Sequence, residues 1–310
     1  MQSNDSKAAR LRQTLAGPDG IELPGCFDVL SALILERAGF KAVFMSGYGV
    51  AASFLGNPDI GLTSLVETSL IAKNISAAIH VPLVVDADNG YGNEDSVVRT
   101  VHELEHAGAA AMILEDQVSP KRCGHAAGKS VIPVDQYLRK LDCALSSRQT
   151  PLVVIARTDA PSLDEGIARA KRYHAAGADL TLIDGLPSIS ALKRVASEVP
   201  GSKVINLIHG GKTPILPAAQ LHELGFKIVL YSTPALYTAA NAMFAAMTLL
   251  HQTGDLASIS KQSTSFADFQ QLIEGRYLRR AGSRALENRD GPELSATNED
   301  ESTAYERAAS

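Results

Sequence analysis

Short apolar runs recur along this chain at 22–24, 42–45, 82–85, 110–114, 152–156, 180–183, 204–207 and 228–231, and most are continuous rather than alternating. A continuous run is what a parallel strand covered on both faces looks like. Between them lie helix-like stretches at 31–39, 62–79, 93–108, 133–146, 162–177, 189–198 and 217–225. Four of these end in a glycine that follows an apolar-periodic segment (Gly39, Gly108, Gly177, Gly225), as helix C-termini do. Eight strand–helix units in about 250 residues have the size and rhythm of an α/β protein of the (β/α)8 TIM-barrel class. A doubly wound open sheet is the alternative; eight units and the lack of a G-x-G-x-x-G turn weigh against it.

The chain has 310 residues, 45% hydrophobic and 20% charged, which suits one large domain. We expect an N-terminal extension over 1–18, the barrel with its C-terminal helices over 19–280, and a disordered acidic tail over 281–310. The formal net charge of −5 carries no basic excess, so no nucleic-acid partner is expected. Cys26, Cys123 and Cys143 are odd in number and lack metal-type spacing, which points to reduced thiols and a cytoplasmic protein. The start, 1–12, is polar and without an apolar core, so no secretory signal is expected there. The most apolar stretch, 229–250, contains Ser232, Thr233, Pro234, Thr238 and Asn241, so it reads as a buried strand and helix, not a membrane span.

In such a barrel the C-terminal strand ends carry the chemistry. Asp86 and Asp88 lie two apart at the end of the third strand, and Glu115, with Asp116 beside it, ends the fourth. Carboxylates converging from neighbouring strands repel unless a cation lies between them, and oxygen ligands with room for water suit Mg2+. The competing reading is that these acids cap helices and turns. Downstream runs Lys121-Arg122-Cys123-Gly124-His125. Its charges would lower the pKa of Cys123 and keep the thiol reactive, in a glycine-bearing loop able to act as a lid. General acid–base work fits Cys123 better than nucleophilic catalysis. Arg157, ending the fifth strand, is suited to a substrate carboxylate or else to an ion pair with Asp159 or Asp184. Ser46-Gly47-Tyr48-Gly49 opens backbone amides to an anion, and Asn206 can donate to a substrate oxygen. His209 and Lys212 read as loop residues.

Taken in order, several motifs resemble the phosphoenolpyruvate mutase/isocitrate lyase superfamily, on its 2-methylisocitrate lyase and 2,3-dimethylmalate lyase-like branch. They are Ser46-Gly47-Tyr48-Gly49, Asn57-Pro58-Asp59, Asp86-Ala87-Asp88-Asn89-Gly90-Tyr91-Gly92, Glu115-Asp116-Gln117, the Lys121–His125 run, Ala156-Arg157-Thr158-Asp159-Ala160 and Gly210-Gly211-Lys212-Thr213-Pro214. The resemblance implies a barrel whose last helix swaps between subunits of a dimer of dimers. It implies Mg2+, with Mn2+ as a substitute, held by Asp86, Asp88 and Glu115, partly through water. Asp59 would lie near the metal or reacting carbon, and Ser46, Gly47, Arg157 and Asn206 would bind the α-oxyacid end. The implied reaction is retro-aldol C–C cleavage of a small 2-hydroxy di- or tricarboxylate, with Cys123 as general acid. Lys121, Arg122 and His125 would offset charge on the departing fragment, and Tyr48 or a metal-bound water would take the hydroxyl proton. Asp184 stands where the lyases commonly carry Glu, His209 where a Glu is usual, and Ser232 where many have Pro. Asp184 and Ser232 are therefore substrate-binding candidates, and the serine resembles the oxaloacetate hydrolases. A carboxyphosphonoenolpyruvate mutase-like enzyme and a non-catalytic barrel remain alternatives.

Overall fold

A computed structural model describes residues 6–126 and 128–281. Its elements run α1 (Lys7–Ala16), β1 (Ile21–Cys26), α2 (Val29–Arg37), β2 (Val43–Met45), α3 (Gly47–Val50) with a π-helical turn (Ala51–Leu55), α4 (Leu65–Ala78), β3 (Leu83–Asp86), α5 (Glu94–His106), β4 (Ala111–Glu115), α6 (Val134–Ser146) and β5 (Val153–Thr158). They continue with α7 (Leu163–Ala175), β6 (Leu180–Ile183), α8 (Ile189–Glu198), β7 (Lys203–Leu207), α9 (Ala218–Glu223), β8 (Phe226–Tyr231), α10 (Pro234–Thr253), α11 (Ala257–Ser260) and α12 (Phe266–Ala281). The eight strands pair in sequence order, all parallel, and β1 closes on β8 to complete the expected barrel.

Successive strand residues face opposite sides, so each apolar run divides between two cores. One row points into the barrel: Leu23, Phe44, Val84, Ile113, Ile155, Leu182, Val204 and Leu230 cluster there. The alternate row, including Met45, Val85, Leu114 and Ala156, packs under helices α2 to α6, while Ile183, Ile205 and Val229 pack under α7 to α9. Gly39, Gly108, Gly177 and Gly225 stop their helices at φ of 95°, 80°, 98° and 100°, the left-handed conformation that glycine adopts without a Cβ clash.

Three differences from the sequence reading have local causes. The stretch after β2, read as glycines opening backbone amides to an anion, holds α3 and the π-helical turn, because Ser46 caps it by accepting from the Gly49 amide (3.3 Å). Within the N-terminal extension, α1 buries Ala8 and Leu11 among the inward side chains of the barrel. Arg12 ties it down by donating to the Pro151 and Leu152 carbonyls (2.6 and 2.8 Å) and to both Asp179 oxygens (2.8 and 3.0 Å). Leu11 is only 1% exposed. Leu11→Ala is expected to cost about 3 kcal/mol, the scale of a buried leucine truncation, measured as a shift in urea midpoint; a loss under about 1 kcal/mol would show that α1 is not part of the core.

The third difference concerns the C-terminal part. The described residues up to Gln262 form one compact unit, and those over 263–281 belong to a second. In the second unit α12 runs from Phe266 to Ala281, to the end of the described residues. The tail expected over 281–310 lies, beyond Ala281, outside the described residues. In the first unit the apolar stretch 229–250 is the end of β8 followed by α10, and among the described residues no helix is long and apolar enough to cross a membrane.

Candidate active site

The barrel's inward rows explain where the polar groups come from. Continuing each row by two residues toward the C-terminal end gives Ser46 after Phe44, Asp86 after Val84, Glu115 after Ile113, Arg157 after Ile155, Asp184 after Leu182, Asn206 after Val204 and Ser232 after Leu230. The apolar interior thus ends in a layer of polar side chains, all but Arg157 and Asp86 under 7% exposed and those two at 8% and 7%. A cavity of about 30 Å³ sits on this layer. Phe44, Ile113, Leu182, Ile208 and Leu230 contribute its apolar lining. Ser46, Tyr48, Asp59, Asp86, Cys123, Gly124, Arg157, Asp184, Asn206 and Ser232 contribute the rest.

Arg157 is the charge centre. It donates to Asp159 through Nε (2.8 Å to Oδ2) and Nη2 (3.1 Å to Oδ1), and Nη2 also lies 3.0 Å from Asp184 Oδ2 and 3.4 Å from Glu115 Oε2. Both ion pairs weighed for Arg157 in the sequence are therefore present, on a guanidinium that still lines the cavity. Burial pushes the Asp184 carboxyl up, but Arg157, His125 and Lys129 more than reverse this and hold it well below the usual carboxylate range. Asn206 Nδ2 donates to Asp184 Oδ1 (3.1 Å), and Ser232 Oγ donates to Asn206 Oδ1 (2.7 Å), so one polar chain crosses β6, β7 and the end of β8.

The acids divide into two groups. Asp86 Oδ2 accepts from the Gly47 amide and Oδ1 from the Asp88 amide, both at 3.3 Å. A Cβ on residue 47 would come to 2.8 Å from Asp86 Oδ2, so glycine is what lets the amide approach. Glu115 is 1% exposed and neither carboxylate oxygen accepts a hydrogen bond. Burial pushes its carboxyl well above the ordinary value, against Arg157 and Lys121. A buried carboxylate with unused lone pairs is costly unless a cation or proton is supplied. Asp88, at φ 46°, places Oδ1 2.6 Å from Lys121 Nζ, which is equally close to Asp59 Oδ1. Burial, with Asp86 and Asp59 nearby, outweighs Lys121 and pushes the Asp88 carboxyl up to about 6. Asp116 turns outward, accepting from the Asp159 amide (3.0 Å) and Tyr173 Oη (2.7 Å), and is not part of the site.

Among the described residues no three His, Cys, Asp or Glu side chains converge tightly enough to enclose a cation by themselves. The donor set nonetheless fits Mg2+, which takes one or two carboxylates and keeps several waters. Glu115 has free lone pairs, and Asp86 spends its own on two long amide bonds.

The loop from β4 to α6 brings Cys123 onto the cavity but spreads its neighbours elsewhere. Lys121 is spent on Asp59 and Asp88, and with Asp88 it lines a separate cavity of about 350 Å³. Arg122 is exposed, its backbone held by Gln117, which donates to the Arg122 carbonyl (2.8 Å) and accepts from its amide (3.0 Å). The His125 ring lies beside Asp184, with Nε2 3.3 Å from Oδ1. The expectation that these charges lower the Cys123 pKa is overturned: burial pushes the thiol up, outweighing the His125 amide and Arg157. A thiol that stays protonated suits a proton donor better than a nucleophile.

Tyr48 reaches the cavity edge, where Tyr237 Oη donates to its hydroxyl (3.4 Å). His209 is exposed. Lys129, which the sequence did not single out, is bound to Asp159 (2.8 Å) and so completes the Arg157 network. No pattern marks it; only the fold brings it there.

This geometry can be set beside proteins of known structure and sequence. A family model for phosphoenolpyruvate phosphomutase matches residues 11–251. The 2,3-dimethylmalate lyase of Eubacterium barkeri is 38% identical over 270 residues, 86% of this chain and 93% of that protein. The 2-methylisocitrate lyase of Bacillus subtilis is 34% identical over 255 residues, 81% and 84% of the two chains. The crystal structure of 2,3-dimethylmalate lyase superposes with a TM-score of 0.85 at 34% identity, covering 91% of this chain and 98% of that one. Oxaloacetate acetylhydrolase bound to 3,3-difluorooxalacetate gives a TM-score of 0.83 at 31% identity, with 89% and 95% covered. Phosphonopyruvate hydrolase with oxalate and Mg2+ gives 0.81 at 25% identity, with 91% and 99% covered. With the barrel, its polar C-terminal layer and these matches over most of its length, the chain belongs to the phosphoenolpyruvate mutase/isocitrate lyase superfamily.

Proposed function

We propose that this protein is a Mg2+-dependent lyase that cleaves the C2–C3 bond of a 2-hydroxy di- or tricarboxylate of the 2-alkylmalate or 2-methylisocitrate type. The products are a 2-oxo acid and a second carboxylate. The observation that carries the reading is a protonated, largely buried Cys123 on the same small cavity as Asp86 and Arg157. The names of the lyase relatives support it.

Asp86, Asp88 and Glu115 are the residues that would hold Mg2+, which when bound would supply Lewis-acid polarisation of the substrate oxygens. Arg157, its Nε and Nη2 held by Asp159 and Asp184, binds the carboxylate of the 2-oxo-acid end through its remaining N–H groups. The Ser46–Gly47 turn and the Asp184–Asn206–Ser232 chain orient the substrate. Tyr48, as the phenolate formed when its own proton has first passed to solvent, takes the proton of the 2-hydroxyl as that carbon becomes a carbonyl. The C2–C3 bonding pair passes to C3, and Cys123 delivers the thiol proton there, so the second carboxylate leaves neutral at carbon. A cavity of about 30 Å³ holds about two waters and no substrate of this class, so the cysteine loop must lift for entry and release.

Ser232 on the cavity, together with the oxaloacetate acetylhydrolase likeness, favours a second reading: hydrolysis of oxaloacetate to oxalate and acetate at the same site. Incubation with Mg2+ and 2,3-dimethylmalate, 2-methylisocitrate or oxaloacetate, followed by proton NMR, separates the two. Pyruvate from either of the first pair supports the lyase; acetate from oxaloacetate alone replaces it with the hydrolase. A cytoplasmic homo-oligomer, with α10 packed on a neighbouring subunit, completes the proposal. Its support is that α10 buries none of its residues yet exposes Met243, Phe244 and Met247.

A further inference from the structure

The seat of the cysteine loop is built from glycines. A Cβ on Gly124 would fall 1.9 Å from Asp184 Oδ2 and 2.4 Å from Arg157 Nη2, so the loop backbone lies directly on that ion pair. A Cβ on Gly211, in the β7–α9 loop, would fall 2.5 Å from His125 Nδ1. Across that gap the Lys212 amide donates to His125 Nδ1 (3.0 Å), while Lys212 Nζ donates to the Ala126 carbonyl (3.0 Å). An Nδ1 that accepts from an amide carries no proton, which leaves the ring N–H on Nε2, the nitrogen facing Asp184 at 3.3 Å. Lys212 itself is exposed and touches none of the groups lining the cavity in its two hydrogen bonds.

We propose that Gly211 and Lys212 are positioning residues: they form a keeper that grips the cysteine loop through His125 and Ala126 and sets how long Cys123 stays seated over the cavity. The grip itself stands on geometry alone; its consequence for turnover rests on the lyase reading. Each hydrogen bond in the keeper is worth a factor of about two to ten in the closed-to-open ratio. Lys212→Met removes one bond. Gly211→Ala forces the imidazole away and so disrupts the amide bond to it.

The test follows iodoacetamide alkylation of Cys123 by peptide mass spectrometry in the full-length protein, across a pH series that separates access from thiol ionisation. Lys212→Met is expected to speed the pH-independent rate about threefold and Gly211→Ala about tenfold, with Lys212→Arg near wild type and Cys143 unchanged in all. Wild-type rates at Cys123 in both Lys212→Met and Gly211→Ala would overturn the keeper. In the kinetic arm, the same variants should lose kcat in the same order with KM changed less than kcat; faster alkylation with unaltered kcat would overturn the positioning role. Faster alkylation in a protein whose wild type turns over no 2-hydroxy acid would leave the keeper standing and remove the lyase reading instead.

Discussion

Cys123→Ser is expected to lower kcat about a thousandfold while leaving Mg2+ and oxalate binding within about threefold of wild type. General acid catalysis contributes a factor of about 10² to 10⁴, and a serine hydroxyl is a far weaker acid than even this raised thiol. Among the described residues of the loop, the thiol is the titrating side chain that lines the cavity; Lys121 is consumed by Asp59 and Asp88, Arg122 points to solvent and His125 lies beside Asp184. Calorimetry with Mg2+ and oxalate checks the binding half; stopped-flow or coupled turnover checks the rate half. Turnover at the wild-type rate would remove Cys123 from the mechanism. Because burial pushes the thiol above its ordinary value, its alkylation should also keep rising above pH 9. A plateau at neutral pH would mean that the loop's cations act on the sulfur after all.

The second large effect concerns the acids. Asp86→Ala and Glu115→Gln are each expected to weaken Mg2+ binding about a hundredfold, a loss comparable to the largest seen when groups supporting a metal site are removed. The two differ in stability without metal. Glu115→Gln replaces a buried carboxyl with no hydrogen-bond partner by a neutral isostere, so its melting temperature should match or exceed wild type. Asp86→Ala strips the acceptor from the Gly47 and Asp88 amides and should melt lower. An unchanged Mg2+ titration in both variants would show that neither carboxylate is a ligand.

The barrel and the polar layer were both legible for the same reason. Continuous apolar runs announce two-faced strands, and the residue two past each inward apolar position is the next to point inward. Strand ends point to Asp86, Glu115, Arg157 and Asn206, whereas Asp184 and Ser232 were singled out through the family resemblance. The rule fails where the chain leaves the strands. Lys121 and Cys123 are neighbours in sequence, yet one faces Asp59 and Asp88 and the other the cavity, so a charge two residues away says little about a thiol's pKa. Asp88 shares a strand end with Asp86, but its left-handed backbone swings the carboxylate to Lys121. The pairing of His125 with Lys212 spans two loops 87 residues apart, and no local pattern encodes it.

Cleavage as proposed needs a divalent ion and a 2-hydroxy acid to meet beneath Cys123. Proton NMR of 2,3-dimethylmalate incubated with the wild-type protein tests this directly, first with Mg2+, then with excess EDTA, then with Mg2+ restored. Pyruvate and propionate are expected in equal amounts, their formation stopped by the chelator and resumed on adding metal. Cleavage that continues undiminished in EDTA would contradict the proposed mechanism.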